Sequence, residues 1–251
     1  MVKTLRTDRW WLYPAATFVV FSGFVVFATF RAFYATDYYS APYLSPFFSP
    51  CLTGSCVEGS SDFGQPLGWW SLSPALVILI FPLGFRLTCY YYRKAYYRAF
   101  WLSPPACAVA EPKAKYTGET RFPLILQNIH RYFWYAAVVV GLILTYDVVL
   151  AFGPAEGEPD GIHMGLGTLL MLGNVVLIWL YTLSCHSCRH ITGGRLRHFS
   201  KHPVRYRMWT FVSKLNARHA QYAWYSLFSV ALVDLYIFLL AANVFDDPRF
   251  F

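Results

Sequence analysis

GIHMGLGTLLMLGNVVLIWLYTLSCHSC, residues 161–188, is a run of 28 residues without a charged side chain, and Arg189 closes it. A helix needs roughly 20 apolar residues to cross the hydrocarbon core of a bilayer, so this run is long enough to span. Comparable gaps recur along the chain. Trp10–Phe30 is 21 residues without a charge and Phe63–Phe85 is 23. Tyr132–Phe152 is interrupted only by Asp147, and His219–Val244 only by Asp234. The pattern predicts an all-α integral membrane protein, a single domain over 1–251, with spans at about 12–34, 69–90, 132–152, 164–185 and 219–242. The first span is too long for the apolar part of a cleavable signal and lacks a small-residue cleavage site.

Charge gives the expected sidedness. Nineteen of the 21 Lys and Arg residues fall in three segments, 1–9, 86–131 and 189–218, and only Arg31 and Arg249 lie elsewhere. Eight of the 13 acids lie in the complementary loops: Asp37, Glu58, Asp62, Glu156, Glu158, Asp160, Asp246 and Asp247. Positive loops stay on the cytoplasmic side, so the N-terminus is expected inside and, after five spans, the C-terminus outside. The net charge of +8 reads as a product of this asymmetry and of attraction to anionic membrane lipid or an acidic partner face, not to nucleic acid. Trp and Tyr cluster at the span ends (Trp10, Trp11, Trp69, Trp70, Tyr90–Tyr92, Trp134, Trp224), where interfacial belts form. The loops 35–68, 91–130 and 186–217 are each too short to bury a core of their own. A chain this bare of soluble domain is a transporter, a channel or an anchor for soluble redox subunits.

The chemistry has to come from groups that are costly in a membrane. The densest is Cys185-His186-Ser187-Cys188-Arg189-His190 at the inner end of the fourth span. Cys185 and Cys188, three apart, share a helix face, and that spacing can present two thiolates to iron or zinc. His186 and His190 share a different face, so all four cannot converge on one centre without unwinding. His130 opens the third span and His219 the fifth, both at the inner side, so Cys185, Cys188, His130 and His219 can share one depth, with His186 and His190 as alternates. Two Cys and two His form the ligand set of a Rieske-type [2Fe–2S] cluster, although the spacing differs from the usual Rieske loops. Zinc in the same place, or haem b held axially by His130 and His219, are the alternatives. A second haem would need an outer pair, and there only His163 is available.

The remaining cysteines divide by side. Cys51 and Cys56, in the outer loop, read equally as a disulfide or as free thiols. Cys89 and Cys107 read as structural thiols and as the first replacements should the assigned cysteine pair fail. Asp147 and Asp234 lie inside spans, about 25 Å and about 22 Å along their helices from the inner histidines. They suit either a pairing with Arg31 or a proton path. Arg86 lies at the inner end of the second span.

TLRTDRWWLYP at 4–14, YYSAPYLSPFFSPC at 38–51, FRLTCYYYRKAYYRAFW at 85–101, NIHRYFWYAA at 128–137, SCHSCRHITGGRLRHFSKHPVRYRMWTFVSKLNARH at 184–219 and VDLY at 233–236 together resemble the five-helix membrane anchor of actinobacterial-type succinate dehydrogenase (respiratory complex II), nearly end to end. The resemblance implies a cell-membrane complex with a flavoprotein and an iron–sulfur subunit on the cytoplasmic side, reduction of a quinone that is expected to be menaquinone, and a Rieske-type cluster in the membrane subunit in place of haem. It does not identify the ligands individually. A quinone site at the same face needs an apolar slot with hydrogen-bond donors and a proton source, for which the candidates are Tyr132, His202, Arg207, Trp209 and Lys214. Gly193 and Gly194 are expected to turn the chain and Pro203 to stop a continuing helix. A proton-coupled transporter, which should show a repeat or paired broken helices, and a zinc-binding membrane scaffold without redox activity are the readings from other classes.

Overall fold

The computed structural model describes residues 4–112, 118–122, 124–154, 157, 159 and 161–251. Lys3, Lys113, Lys115, Glu156, Glu158 and Asp160, which enter the charge pattern above, lie outside them. The chain is helical: α1 (Leu12–Phe33), α2 (Ala75–Ile78), α3 (Ile80–Thr88), α4 (Tyr90–Ala99), α5 (His130–Leu150), α6 (Leu166–Leu183), α7 (His186–Gly193), α8 (Pro203–Asn216) and α9 (His219–Ala241). A helix satisfies its own backbone in a solvent that cannot, which is why spans take this form. Among the described residues, four spans meet the length and apolarity needed to cross a bilayer: α1, α5 with its lead-in turns from Leu124, α6 and α9. The bent pair α2–α3 with α4 makes a fifth if counted as one span. Large apolar side chains such as Val19, Val26, Leu142, Val149, Val176 and Leu232 point outward from the bundle, as lipid-facing residues do.

The second span departs from the expected 69–90. Its helix starts at Ala75 and ends at Thr88; Cys89 is extended (φ −69°, ψ 129°), and α4 leaves at 73°. Tertiary contacts hold the bend. The Tyr92 hydroxyl donates to the Ala223 carbonyl at 2.7 Å, and the Trp224 indole donates to the Tyr91 hydroxyl at 2.6 Å, so the aromatic face of α4 docks on α9. Its other neighbour is α1, through Phe18–Phe100 and Phe21–Tyr92 ring contacts. The third span begins at His130, two residues before the expected start, and α6 lies within the expected 164–185.

The segment between α1 and α2 closes one end of the bundle. A short hairpin pairs Tyr39–Ser40 with Tyr43–Leu44, Cys51 and Cys56 form a disulfide, and Tyr38, Phe47 and Phe48 pack with Ala32 and Ala75 in a core of their own. At the other end, α7 and α8 form a hairpin. Arg205 caps the end of α7, donating to the carbonyls of Thr192 at 3.0 Å, Ile191 at 3.2 Å and Gly194 at 3.1 Å. The left-handed residue of that turn is Arg195 (φ 62°), not a glycine. A Cβ on Gly193 would strike the Trp209 indole, so close approach is the constraint there. Pro203 is the first residue of α8, where its missing N–H costs nothing.

Candidate metal centre

The site lies where α3, α5, α7 and α9 meet. Its shell is a buried cluster that includes Phe85, Cys89, Tyr92, Trp134, Tyr181, Cys185 and Cys188. Gly84 lets α3 approach α5, because any Cβ there would meet the Phe133 ring. Within the shell two histidine–cysteine pairs face each other's helices. His130 Nε2 lies 3.1 Å from Cys185 Sγ, and His219 Nε2 lies 3.4 Å from Cys89 Sγ. Ring stacking fixes both imidazoles: His130 on Phe85 at 5.0 Å and 4°, His219 on Tyr181 at 5.1 Å and 10°.

The hydroxyls behind the rings select the tautomer. Thr88 donates its proton to the Gly84 carbonyl at 2.7 Å, so toward His130 Nδ1, 2.8 Å away, it can only accept. Ser184 donates to the Tyr181 carbonyl at 3.0 Å and likewise can only accept from His219 Nδ1, at 2.7 Å. Both histidines therefore carry the proton on Nδ1 and aim the Nε2 lone pair at a thiol. A metal-ligating histidine is held in this way, with its other ring nitrogen donating to a fixed acceptor. Asn216 donates to the Ser184 carbonyl at 2.7 Å and Trp134 to that of Thr182 at 2.9 Å, which locks the turn between α6 and α7. Cys185 caps α7 and accepts the Ser187 N–H at 3.4 Å; such bonds help to stabilise a thiolate and set the potential of a cluster. The Tyr181 hydroxyl is buried beside these groups.

The sequence candidates are placed as follows. Cys185, His130 and His219 meet in this site. Cys188 is buried nearby in the same shell, where burial pushes its thiol pKa up, but Cys89 is the second cysteine in contact with a histidine. Of the alternates, the His186 ring lies 6.3 Å from that of His219, and His190 receives a contact from Arg131 at 3.1 Å on the exposed surface. Among the quinone candidates, Tyr132, His202, Arg207 and Lys214 are exposed, and Trp209 is built into a stack with Phe199, Tyr206 and the Arg189 guanidinium. Asp234 and Asp147 lie toward the opposite end. Asp234 is fully buried against Arg31 at 2.8 Å and accepts from Ser45 at 2.5 Å, and Asp147 accepts from Ser49. A cavity of about 440 Å³ lies apart from the site, between α4 and residues 103–111. Its cations are partly balanced, Arg93 by Glu119 and the wall as a whole by Glu111.

Cys89, Cys185, His130 and His219 are soft and borderline donors, of the kind that iron–sulfur centres, zinc and haem iron all take. Among the described residues, no three His, Cys, Asp or Glu side chains close around one point; the four donors form two separate pairs, a soft and a borderline ligand in each. Each His Nε2 faces a thiol, His130 that of Cys185 and His219 that of Cys89.

The apolar bundle defines a multi-pass membrane protein, with a buried His–Cys cluster at one end. Over residues 12–243 the chain matches the family described as actinobacterial succinate dehydrogenase subunit SdhC, and it belongs to that family: it is a membrane subunit of succinate dehydrogenase. It is similar to a chain of the Mycobacterium smegmatis Sdh1 complex in the apo form, with 58% identity and a TM-score of 0.90 over 99% of this chain and 94% of that one. No curated protein matches it.

Proposed function

We propose that this chain anchors the flavoprotein and iron–sulfur subunits of succinate dehydrogenase to the cytoplasmic side of the cell membrane, and passes electrons from the iron–sulfur subunit to membrane menaquinone. In this reading the N-terminus is inside and the C-terminus outside, as the basic segments require. The observation that carries the electron-transfer role is the pair of His–Cys contacts, each imidazole backed at Nδ1 by a hydroxyl. Cys89, Cys185, His130 and His219 are the residues that would hold a Rieske-type [2Fe–2S] cluster, with Cys188 the nearest substitute. Such a cluster supplies one-electron transfer when bound.

The chain's own residues do the rest. Phe85 and Tyr181 clamp the imidazoles and exclude water. Thr88 and Ser184 keep Nε2 deprotonated and aimed. The exposed basic surface of α7 and α8, with Arg189, Arg207 and Lys214, is the face offered to the soluble subunits and to lipid phosphate. Tyr132, His202 and Trp209 border that face as candidates for binding quinone and delivering protons to it. Asp147 and Asp234 act as anchors for the 35–74 segment and not as a proton path.

The test is low-temperature EPR with a reduced-minus-oxidised optical spectrum on the purified, dithionite-reduced complex. The expected result is the rhombic signal of a mixed His/Cys cluster, at lower average g than all-cysteine clusters, and no b-type haem band. A haem band without that signal overturns the ligand set, and neither signal makes the cysteine–histidine site structural.

A further inference from the structure

Arg31 and Arg86 both turn their guanidinium groups into the bundle, which treats them oppositely. Arg31 is fully buried and paired with Asp234. Arg86, on α3, is half-buried, and the partners described for it are all neutral. Its Nη1 donates to the Tyr92 hydroxyl at 2.5 Å and to the Ala223 carbonyl at 3.3 Å, and its Nη2 donates to Ser226 Oγ at 3.2 Å. The remaining contacts are ring faces, Tyr181 at 4.9 Å and Tyr92 at 5.7 Å. A guanidinium does not lose its proton in a protein, so these contacts orient a full positive charge without neutralising it.

The charge sits beside the metal-ligand set. Tyr181, over which Arg86 lies, stacks on His219 at 5.1 Å and tilts against Phe85 at 5.1 Å, and Phe85 stacks on His130. Cys89 follows Arg86 by three residues. We propose that Arg86 is an electrostatic tuning residue: its uncompensated charge raises the reduction potential of the centre held by Cys89, Cys185, His130 and His219. The proposal rests on that ligand reading. Reduction adds one electron, delivered by the iron–sulfur subunit, and breaks no bond, so the centre gains one negative charge that a fixed cation stabilises. At a separation on the order of 10 Å and an effective dielectric of about 20, the preference for the reduced state is roughly tenfold.

A potentiometric titration followed by EPR on the intact complex tests this, comparing the unaltered protein with Arg86→Gln, Arg86→Lys and Ser226→Asp. The aspartate places a carboxylate next to Nη2 and cancels the charge with the arginine still in place. The expected result is a midpoint lowered by about 59 mV, the one-electron equivalent of tenfold, in Arg86→Gln and Ser226→Asp, and a smaller change in Arg86→Lys. An unmoved midpoint in Ser226→Asp overturns the proposal even if Arg86→Gln fails to assemble. An equal drop in Arg86→Lys and Arg86→Gln overturns it as well, because geometry and not charge would then be responsible. Absence of the signal in the unaltered complex strikes the ligand reading itself, a different outcome from a signal whose midpoint does not move.

Discussion

Thr88 and Ser184 give their hydroxyl protons to backbone carbonyls, which leaves only lone pairs for His130 and His219. Removing either acceptor frees an imidazole to turn or to change tautomer. Such a loss typically costs 10- to 100-fold in metal affinity, so Thr88→Val and Ser184→Ala should each lower cluster content in the purified complex, measured as iron and EPR spins per flavin. Unchanged content would mean that packing alone positions the rings. At this scale part of the site is legible in the sequence. His130, His219 and Cys185 stand at span ends on the expected inner side, and counting residues from those ends brings them to one depth. Cys89 stands at an expected inner end too, but it carries no paired spacing. The CHSC motif points to Cys188 beside Cys185, whereas the Cys89–His219 contact depends on how α3 packs against α9.

At the scale of elements, the break at Cys89 turns a span end into a site. Nothing in FRLTCYYYRKAYYRAFW, residues 85–101, interrupts a helix by propensity, since it holds neither proline nor glycine. The bend comes from Tyr91 and Tyr92 docking on α9, a tertiary preference that overrides local pattern, and so periodicity does not reveal it. The close approach of α3 to α5 at Gly84 holds the same geometry from the other side. Gly84→Val should push Phe133 aside and separate Thr88 from His130. Overpacking of this kind costs about 1–3 kcal/mol. The expected result is a lower thermal midpoint for the complex together with reduced cluster content, whereas Gly23→Val, at a position with open space around it, should change neither.

Across the whole molecule, the two ends of the bundle do different work. The buried His–Cys cluster occupies one end. At the other, the disulfide-bearing segment is fastened to the spans through Arg31–Asp234, Ser45–Asp234 and Ser49–Asp147. Breaking a buried ion pair by removing one partner strands a charge and costs about 3–5 kcal/mol. Asp234→Asn should therefore lower the thermal disassembly midpoint of the detergent-solubilised complex while leaving the EPR signal of any complex that remains. Quinone reduction lost with assembly intact would instead favour a proton path. The bundle was readable from charge gaps because spanning demands long uncharged runs. A pairing of Arg31 with an intramembrane acid was readable as well, and Asp234 makes it; the Ser45–Asp234 and Ser49–Asp147 contacts were not, because they join side chains far apart in sequence.

Low-temperature EPR of the reduced complex carrying Cys89→Ser, set against Cys188→Ser, tests the ligand set most directly. Cys89, Cys185, His130 and His219 as ligands require the mixed-ligand signal to disappear in Cys89→Ser and to persist in Cys188→Ser. A signal that survives in Cys89→Ser and vanishes in Cys188→Ser would contradict them and return the second cysteine ligand to the CHSC motif.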